Sequence, residues 1–194
     1  MARIRNFNAY RSIERPYTRI SKYRAKSYVR ARPVCRVVRF DMGKLSGEFE
    51  HTVKLKSKSD LQIRDNALES ARQVANRLII KNAGKQGFRM RIRVYPHHIL
   101  RENPLASGAG ADRMSTGMKK SFGKPIGIAA QIKKGQTIME LSVDKLHLDV
   151  AKEAMKRAGS KLPCGINVKV VDNKVAEVKK VVADKVVDNK VAAE

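Results

Sequence analysis

Residues 107–125 combine glycine, hydroxyl and cationic residues in one short stretch that has a single acidic residue. Glycine tolerates positive φ angles and close approach of the backbone to another molecule, so successive backbone N–H groups can bind an anion. Cationic side chains beside such a backbone attract phosphate. These residue types predict a loop that binds nucleic acid. Its candidate contacts are Gly110, Arg113, Ser115, Thr116, Gly117, Lys119, Lys120 and Lys124.

The charge of the whole chain favours the same kind of partner. Its 194 residues include 42 lysines and arginines against 18 acidic residues, which gives a formal net charge of +24. A polyanion stabilises such a protein, because neutralising phosphates releases the counterions condensed on them. A membrane surface is the competing polyanion. No run of about 18 apolar residues and no basic amphipathic helix with aromatic anchors stands out, so we expect a soluble protein without a membrane partner.

Residues 1–33 are predicted to form a basic arm that binds RNA. Five aromatic residues, from Phe7 to Tyr28, are interleaved with the cations of this segment, and such a mixture suits phosphate pairing and base stacking. The alternative is a solvated disordered tail, for which low apolar content is the usual cause. The candidate RNA contacts of the arm are Arg3, Arg5, Arg11, Arg15, Arg19, Lys22, Arg24, Lys26, Arg30 and Arg32.

A globular domain is predicted over residues 34–170. Apolar residues recur at helical spacing over 65–81 and 148–158, and glycines at 84 and 159 mark the helix ends. Strands are expected at residues 35–40, 88–94, 126–132, 137–143 and 164–170. The third and fourth of these are expected to pair as a hairpin. Because no regular βαβ rhythm is present, the order predicts an α+β fold, a two-layer sandwich of sheet and helices.

Residues 88–94 alternate apolar side chains with Arg89, Arg91 and Arg93, which predicts a half-buried strand with an arginine ladder on one face. Like charges spaced two residues apart repel, so we expect an anion on that face and not a merely solvated row. The ladder is therefore a second candidate RNA contact. The neighbouring His97 and His98 lack a third ligand at a recognisable spacing, so a polar strand end is expected there and not a metal site.

Two features of the sequence carry no chemistry. Cys35 and Cys164 lie far apart and outside any CxxC pair, so we expect small buried residues in a reducing compartment, with no metal and no cofactor. The tail, residues 171–194, is valine-rich, repetitive and neutral, because five lysines balance five acidic residues. Its neutrality argues against phosphate contact. A helix docked on a neighbouring protein and a mobile tail remain open as alternatives.

Residues 107–125, Ser-Gly-Ala-Gly-Ala-Asp-Arg-Met-Ser-Thr-Gly-Met-Lys-Lys-Ser-Phe-Gly-Lys-Pro, closely resemble the signature loop of one ribosomal protein family. That family is universal large-subunit protein sixteen, called QM protein in eukaryotes and protein ten-e in archaea. The resemblance extends to residues 67–72, 84–98, 153–158 and 162–163, and it covers about residues 3–170. Four separated motifs occur in family order with family-like spacing. The chain lacks the long acidic and aromatic extension of the eukaryotic branch, so it resembles the archaeal type.

The resemblance implies a cytoplasmic component of the large ribosomal subunit that binds ribosomal RNA beside the peptidyl-transferase centre. It implies that the glycine-rich loop approaches tRNA in the P site or A site, with Arg113, Lys119, Lys120 and Lys124 as phosphate contacts. The arm and the arginine ladder would then anchor the protein in ribosomal RNA. The implied fold is an α/β sandwich with a hammerhead-like β arrangement. Neighbouring ribosomal proteins are expected as further partners, through the tail.

Two other classes of function compete with this one. An enzyme would need a GxxxxGK[ST] phosphate loop, a nucleophile elbow or a paired carboxylate, and none of these is present, so no catalytic residue is expected. A chromatin or general nucleic-acid-binding protein fits the charge equally well. A helix-turn-helix, zinc finger or basic zipper would favour DNA, and none is apparent. A shaped arm and loop suit an irregular RNA pocket.

Overall fold

The structure, a computed structural model, describes residues 5–18, 23, 25, 33–103, 108–110, 117–118 and 122–173. Eight β-strands and two α-helices lie within this part of the chain. The strands are β1 (Asp41–Gly43), β2 (His51–Ser57), β3 (Leu61–Arg64), β4 (Phe88–Ile92), β5 (His98–Glu102), β6 (Lys124–Ile132), β7 (Thr137–Val143) and β8 (Ile166–Asp172). The helices are α1 (Asp65–Ala83) and α2 (Leu148–Gly159), and 3-10 turns include Phe7–Tyr10 and Lys145–His147.

The strands form two antiparallel sheets. One sheet has five strands in the order β1–β4–β7–β2–β8, and the other has three in the order β3–β6–β5. Helices α1 and α2 pack against each other, and α2 also lies on β2, β7 and β8. Helix α1 contacts β4 of the first sheet and both β3 and β6 of the second, so it joins the two sheets into one core. The predicted α+β sandwich is confirmed.

Both predicted helices are present. The apolar stripe of α1 is buried at Leu68, Ala71, Ala75 and Ile79, and the N–H of Gly84, at a φ of 70°, bonds to Ile80 to end the helix. Helix α2 ends at Gly159, which the sequence predicted as a stop. Close packing is a further reason for glycine at this position, because a Cβ there would lie 2.1 Å from Ile166 Cδ1 of β8. The glycine thus lets the last turn of α2 approach the sheet closely.

The strand predicted at residues 35–40 is wrong. No strand forms over these residues, and carboxylates of α1 bind their backbone: Arg36 N–H donates to Asp65 Oδ2 at 3.1 Å and Val38 N–H to Glu69 Oε2 at 3.3 Å. Strand β1 forms only after it, at Asp41–Gly43, where the chain pairs with β4. Side chains of α1 thus replace the sheet partner that the apolar pattern predicted.

The predicted hairpin of residues 126–132 and 137–143 is also wrong. Both strands exist, as β6 and β7, but they belong to different sheets. Strand β7 pairs with β2 and β4, while β6 pairs with β3 and β5, so neither has an edge left for the other. The turn at residues 133–136 instead hydrogen-bonds to Ser57 at the end of β2. It carries the chain from one sheet to the next.

The last strand differs slightly from the one predicted. Strand β8 lies two residues further along than the predicted 164–170, and the repetitive tail beyond Asn173 lies outside the described residues. The division into arm, domain and tail stays a prediction. Cys35 and Cys164 are half-buried rather than fully buried, and burial raises the pKa of the Cys164 thiol. No helix in the described ranges is long and apolar enough to cross a membrane.

Candidate nucleic-acid interface

The outer face of the five-stranded sheet, opposite the helices, carries polar side chains in rows that cross the strands. The register of the pairing aligns Asp41, Arg91, Glu140, Lys54 and Lys169 in one row. The adjacent row contains Arg89, Ser142 and Thr52. The apolar alternates of β4, Phe88, Met90 and Ile92, are buried on the other face. The arginine ladder therefore has the one-sided arrangement that its alternation predicted.

Two of the three ladder arginines have carboxylate partners within the protein. Arg91 Nε lies 2.5 Å from Asp41 Oδ1, and this hydrogen bond raises the pKa of the guanidinium. Arg93 Nε lies 3.6 Å from Glu140 Oε2. Among the described residues, no carboxylate forms an ion pair with Arg89. The anion that we expected beside the ladder is thus supplied in part by the protein, and within the described ranges Arg89 is the ladder arginine without an ion pair.

A groove of about 430 Å³ opens beside Arg89, and its lining includes the acidic residues Glu48 and Glu50 as well as Ser142 and Asn173. A second space of about 200 Å³ shares Arg89, Ser142 and Asn173 with it and reaches Arg91. Its wall is fixed by hydrogen bonds, since the Thr52 hydroxyl donates to Asn173 Oδ1 at 3.1 Å and its oxygen lies 3.0 Å from that of Ser142. Arg89 is therefore accessible to a partner from outside the protein.

Residues 11–17 of the predicted arm cross the three strands of the second sheet in turn. Backbone N–H of Gln62 on β3 donates to Arg11 O, the Gln131 side chain on β6 donates to Glu14 O, and Ile99 N–H on β5 donates to Tyr17 O. These bonds measure 3.2, 2.8 and 3.0 Å. The segment is held by its backbone, so the side chains of Arg11 and Arg15 remain exposed. We name residues 5–18 the N-terminal brace.

The aromatic residues of the brace contact the protein itself, and their role in base stacking stays a prediction. Phe7 packs against the core. Tyr10 lies beneath the guanidinium of Arg64, 5.3 Å from its ring centroid, and Tyr17 meets Phe122 edge-on at 5.9 Å. A ring that is already covered on one face offers less surface to a base. Phosphate contact through the exposed cations remains the prediction for this segment.

The glycine-rich loop leaves the second sheet between β5 and β6, and Arg101 holds its base. The Arg101 guanidinium lies 4.3 Å from the centroid of Tyr17 and 4.1 Å from that of Phe122, so it stacks between two rings. It also donates from Nη1 to Phe122 O at 3.1 Å. Asn103 Nδ2 donates to Gly117 O at 3.4 Å. Residues on both sides of the loop are thereby tied together.

Glu102 connects the base of the loop to the brace. Its Oε1 forms an ion pair with Arg5 Nε, and its Oε2 accepts a hydrogen bond from the Tyr10 hydroxyl at 3.0 Å. Burial, and then the hydrogen bond to Glu102, raise the pKa of Tyr10. Arg64 completes the cluster, because its Nη2 donates to Arg5 O at 2.9 Å. Lys124 stands opposite Glu102 in the β5–β6 pairing.

The structure describes only part of the predicted contact set. Gly110 and Gly117 have φ angles of 79° and 66°, so both adopt the left-handed conformation for which glycine was expected. Lys124 is exposed at the start of β6. The other loop candidates, Arg113, Ser115, Thr116, Lys119 and Lys120, lie outside the described residues, as do Arg3, Arg19, Lys22, Arg24, Lys26, Arg30 and Arg32 of the arm.

The two neighbouring histidines make different contacts within the protein. His98 is 5% exposed, and its Nδ1 accepts the backbone N–H of Tyr17 at 2.9 Å. Burial lowers the pKa of His98, so the neutral form that can accept this bond is favoured. His97 instead contacts Tyr95, with 4.6 Å between the ring centroids and the rings tilted by 47°. In the described ranges, no group of three histidine, cysteine or acidic residues is placed to hold a metal.

Sequence reasoning missed the residues that position the loop. Arg101 and Glu102 precede the glycine-rich stretch, Phe122 lies near its end, and Tyr10 and Arg64 reach this base from distant parts of the chain. The flanking charges Arg101 and Glu102 were a signal, because they stand where an apolar strand meets a loop. Tyr10 lies 92 residues before Glu102 along the chain, so no local sequence pattern identifies the two as partners.

The chain matches the model of the family described as ribosomal protein L16p/L10e over residues 15–170. It is 48% identical to the large ribosomal subunit protein uL16 of Methanococcus maripaludis over 171 residues, which are 88% of this chain and 96% of the relative. It is 47% identical to that of Archaeoglobus fulgidus over 154 residues, 79% and 85% of the two chains. With that of Methanococcus aeolicus the identity is 46% over 178 residues, 91% and 98%.

The matched region contains the end of the brace, both helices, and the base and glycine-rich residues of the loop. Both the family match and the archaeal relatives agree with the resemblance carried by residues 107–125. This chain therefore belongs to the ribosomal protein L16p/L10e family.

Proposed function

We propose that the chain is a structural constituent of the large ribosomal subunit, that it binds large-subunit ribosomal RNA, and that its loop approaches tRNA. Membership of the L16p/L10e family carries the first part, since this is a family of ribosomal structural proteins and not of enzymes. Large ribosomal subunits act in the cytoplasm, which is the location of this protein. The excess of 24 positive charges supports an RNA partner.

Two surfaces are proposed to bind ribosomal RNA. The first consists of the exposed cations of the brace, Arg11 and Arg15, together with the rest of the basic arm. The second is the outer face of the five-stranded sheet, where cationic side chains outnumber carboxylates. The cations are Arg89, Arg91, Arg93, Lys54, Lys56 and Lys169; the carboxylates are Asp41 and Glu140 on the strands, with Glu48 and Glu50 at the groove beside Arg89. Contacts of this kind fix position and orientation on RNA without reading its sequence.

The loop is proposed to position tRNA by charge alone. Its cations would lie near the phosphates of the acceptor arm and lower the repulsion between tRNA and ribosomal RNA, while peptide-bond formation stays an activity of RNA. The observation that carries this proposal is the base of the loop: Arg101 between two rings, and Glu102 bonded to the brace. We infer that this base restricts the directions in which the loop presents its charges.

Sedimentation tests the ribosomal part of the proposal. A lysate is washed at high salt, separated on a sucrose gradient and probed for this protein. Six to ten diffuse phosphate contacts would lose about 10³ to 10⁵ in affinity between roughly 50 and 200 mM salt, so a merely adhering protein would leave the subunit. We expect persistence with the large subunit. Release into the light fractions, or migration with chromatin, would contradict the proposal.

Deletion of residues 110–124 tests the loop. Ribosomes carrying the deletion should assemble but bind tRNA more weakly and translate more slowly. A second variant keeps the full-length loop but replaces Arg113, Lys119, Lys120 and Lys124 by serine. It separates the loss of charge from the loss of length. Unchanged translation by both variants would refute the tRNA part of the proposal and leave the ribosomal RNA part standing.

A further inference from the structure

The position of Glu102 is unusual for a carboxylate in so basic a protein. It is the last residue of β5, directly before the loop, and its side chain is only 20% exposed. An acidic side chain at the base of a loop that meets phosphate would repel its partner if it were unpaired. Both of its oxygens are instead occupied from the brace, by Arg5 and by Tyr10. The carboxylate thus serves an internal contact.

The same brace contacts the other side of the loop base. Tyr17 lies against Arg101 before the loop and against Phe122 after it. Gly123 follows, with a φ of 81°, and a Cβ there would lie 3.1 Å from the backbone carbon of Glu102. Both ends of the loop therefore lie against one another and against residues 10–17. The backbone of these residues is in turn bonded to all three strands of the second sheet.

We propose that Glu102 is a positioning residue, the joint through which the N-terminal brace sets the direction of the glycine-rich loop. This inference rests on the proposed function, since it assigns the fixed direction of the tRNA-facing loop to a contact from the other end of the chain. Arg5 neutralises the carboxylate, Tyr10 orients it, and Arg64 holds both through the Arg5 carbonyl and the Tyr10 ring. The loop then inherits its orientation from the sheet that the brace crosses.

Distances in the full-length protein test the proposal directly. Spin labels are attached to Ala109→Cys in the loop and Lys156→Cys on α2, both exposed, in a chain with Cys35→Ala and Cys164→Ala. Pulsed electron resonance then gives the distribution of the distance between the labels. Glu102→Gln keeps the shape of the side chain but removes its charge. We expect the distribution to broaden about twofold, since local loop motion increases once its anchor is lost.

Two further variants keep the result interpretable. Arg5→Gln removes the same ion pair from the brace side and should broaden the distribution as Glu102→Gln does. Asp41→Asn is the matched control, because it removes the surface ion pair with Arg91, at the far edge of the other sheet. It should leave the distribution unchanged. Thermal unfolding of each variant checks that the fold is intact.

An unchanged distribution in Glu102→Gln, or equal broadening in Asp41→Asn, would overturn the proposal. This outcome is separable from failure of the proposed function, since the measurement needs neither ribosome nor tRNA. In ribosomes, Glu102→Gln should weaken tRNA binding while incorporation into the large subunit stays the same. If loop deletion has no effect on translation while Glu102→Gln still broadens the distribution, the brace is retained and the tRNA role is refuted.

Discussion

The arginine ladder gives the sharpest quantitative prediction, because the structure separates its three members. Arg89 has no ion pair in the described part of the chain, whereas Arg91 and Arg93 face Asp41 and Glu140. A phosphate that binds Arg91 must displace or share a carboxylate 2.5 Å away, and its net gain is smaller for that reason. Replacing Arg89 by alanine should therefore weaken RNA binding more than replacing Arg91.

The magnitude follows from counterion release. Each phosphate contact contributes about 0.7 to 0.9 to the slope of log affinity against log salt. Loss of the Arg89 contact should lower the slope by about that amount. Over a fourfold rise in salt, the affinity of the variant should then fall by a factor about 3 smaller than the affinity of the unchanged protein. For Arg91→Ala we expect less than about half of this change, because its charge is already compensated. A triple variant in which Arg89, Arg91 and Arg93 are all alanine should also be incorporated into the large subunit less efficiently.

Fluorescence anisotropy with large-subunit ribosomal RNA, measured at several salt concentrations, gives the slopes directly. The control is Asp41→Ala, which releases Arg91 from its carboxylate and should steepen the slope. Equal slope changes for Arg89→Ala and Arg91→Ala would refute the assignment of Arg89 as the main phosphate contact. Unchanged binding by the triple variant would refute the role of this face altogether.

Three further predictions concern stability. The pKa of His98 lies below its ordinary value of 6.5, so the free energy of unfolding should fall as pH drops below about 6.5, and His98→Gln should flatten this dependence in a pH series of urea melts. Glu69→Ala leaves the half-buried Arg72 guanidinium and the Val38 N–H without their acceptor, so we expect the free energy of unfolding in urea to fall by about 1–3 kcal/mol. Glu153→Ala, which removes an exposed ion pair, should lower it by about 0.5 kcal/mol, and equal losses would contradict this. Gly123→Ala and Gly135→Ala both place a side chain on a residue with left-handed backbone, but only the Cβ at position 123 meets nearby backbone. In thermal unfolding, Gly123→Ala should therefore lose about 1 kcal/mol more stability than Gly135→Ala, and equal losses would refute the close contact.

Local patterns in the sequence were sufficient where one element decides its own structure. The stripe from Leu68 to Ile79 needs only helical spacing, and the alternation of β4 needs only a half-buried sheet. The family and its loop were recognised from residues 107–125, because few sequences combine glycine and cations in that order. These features lie within a few residues of one another along the chain.

Contacts between distant residues were beyond such patterns. The pairing of β6 and β7 was predicted wrongly because their sequences do not show which edges β2–β5 already occupy. For the same reason Glu140 was not recognised as the partner of Arg93. Residues 35–40 have strand-like composition, but their backbone donors find carboxylates on α1. The joint at Glu102 depends on three segments that meet only in the folded chain.

In the proposed function, a loop with a fixed base approaches tRNA in the assembled subunit. A photoreactive benzoylphenylalanine in place of Ala109, in the described part of the loop, tests this most directly in purified ribosomes loaded with tRNA. We expect a crosslink to tRNA that appears only when the P site or A site is occupied. A crosslink to ribosomal RNA alone, unchanged by tRNA, would contradict it.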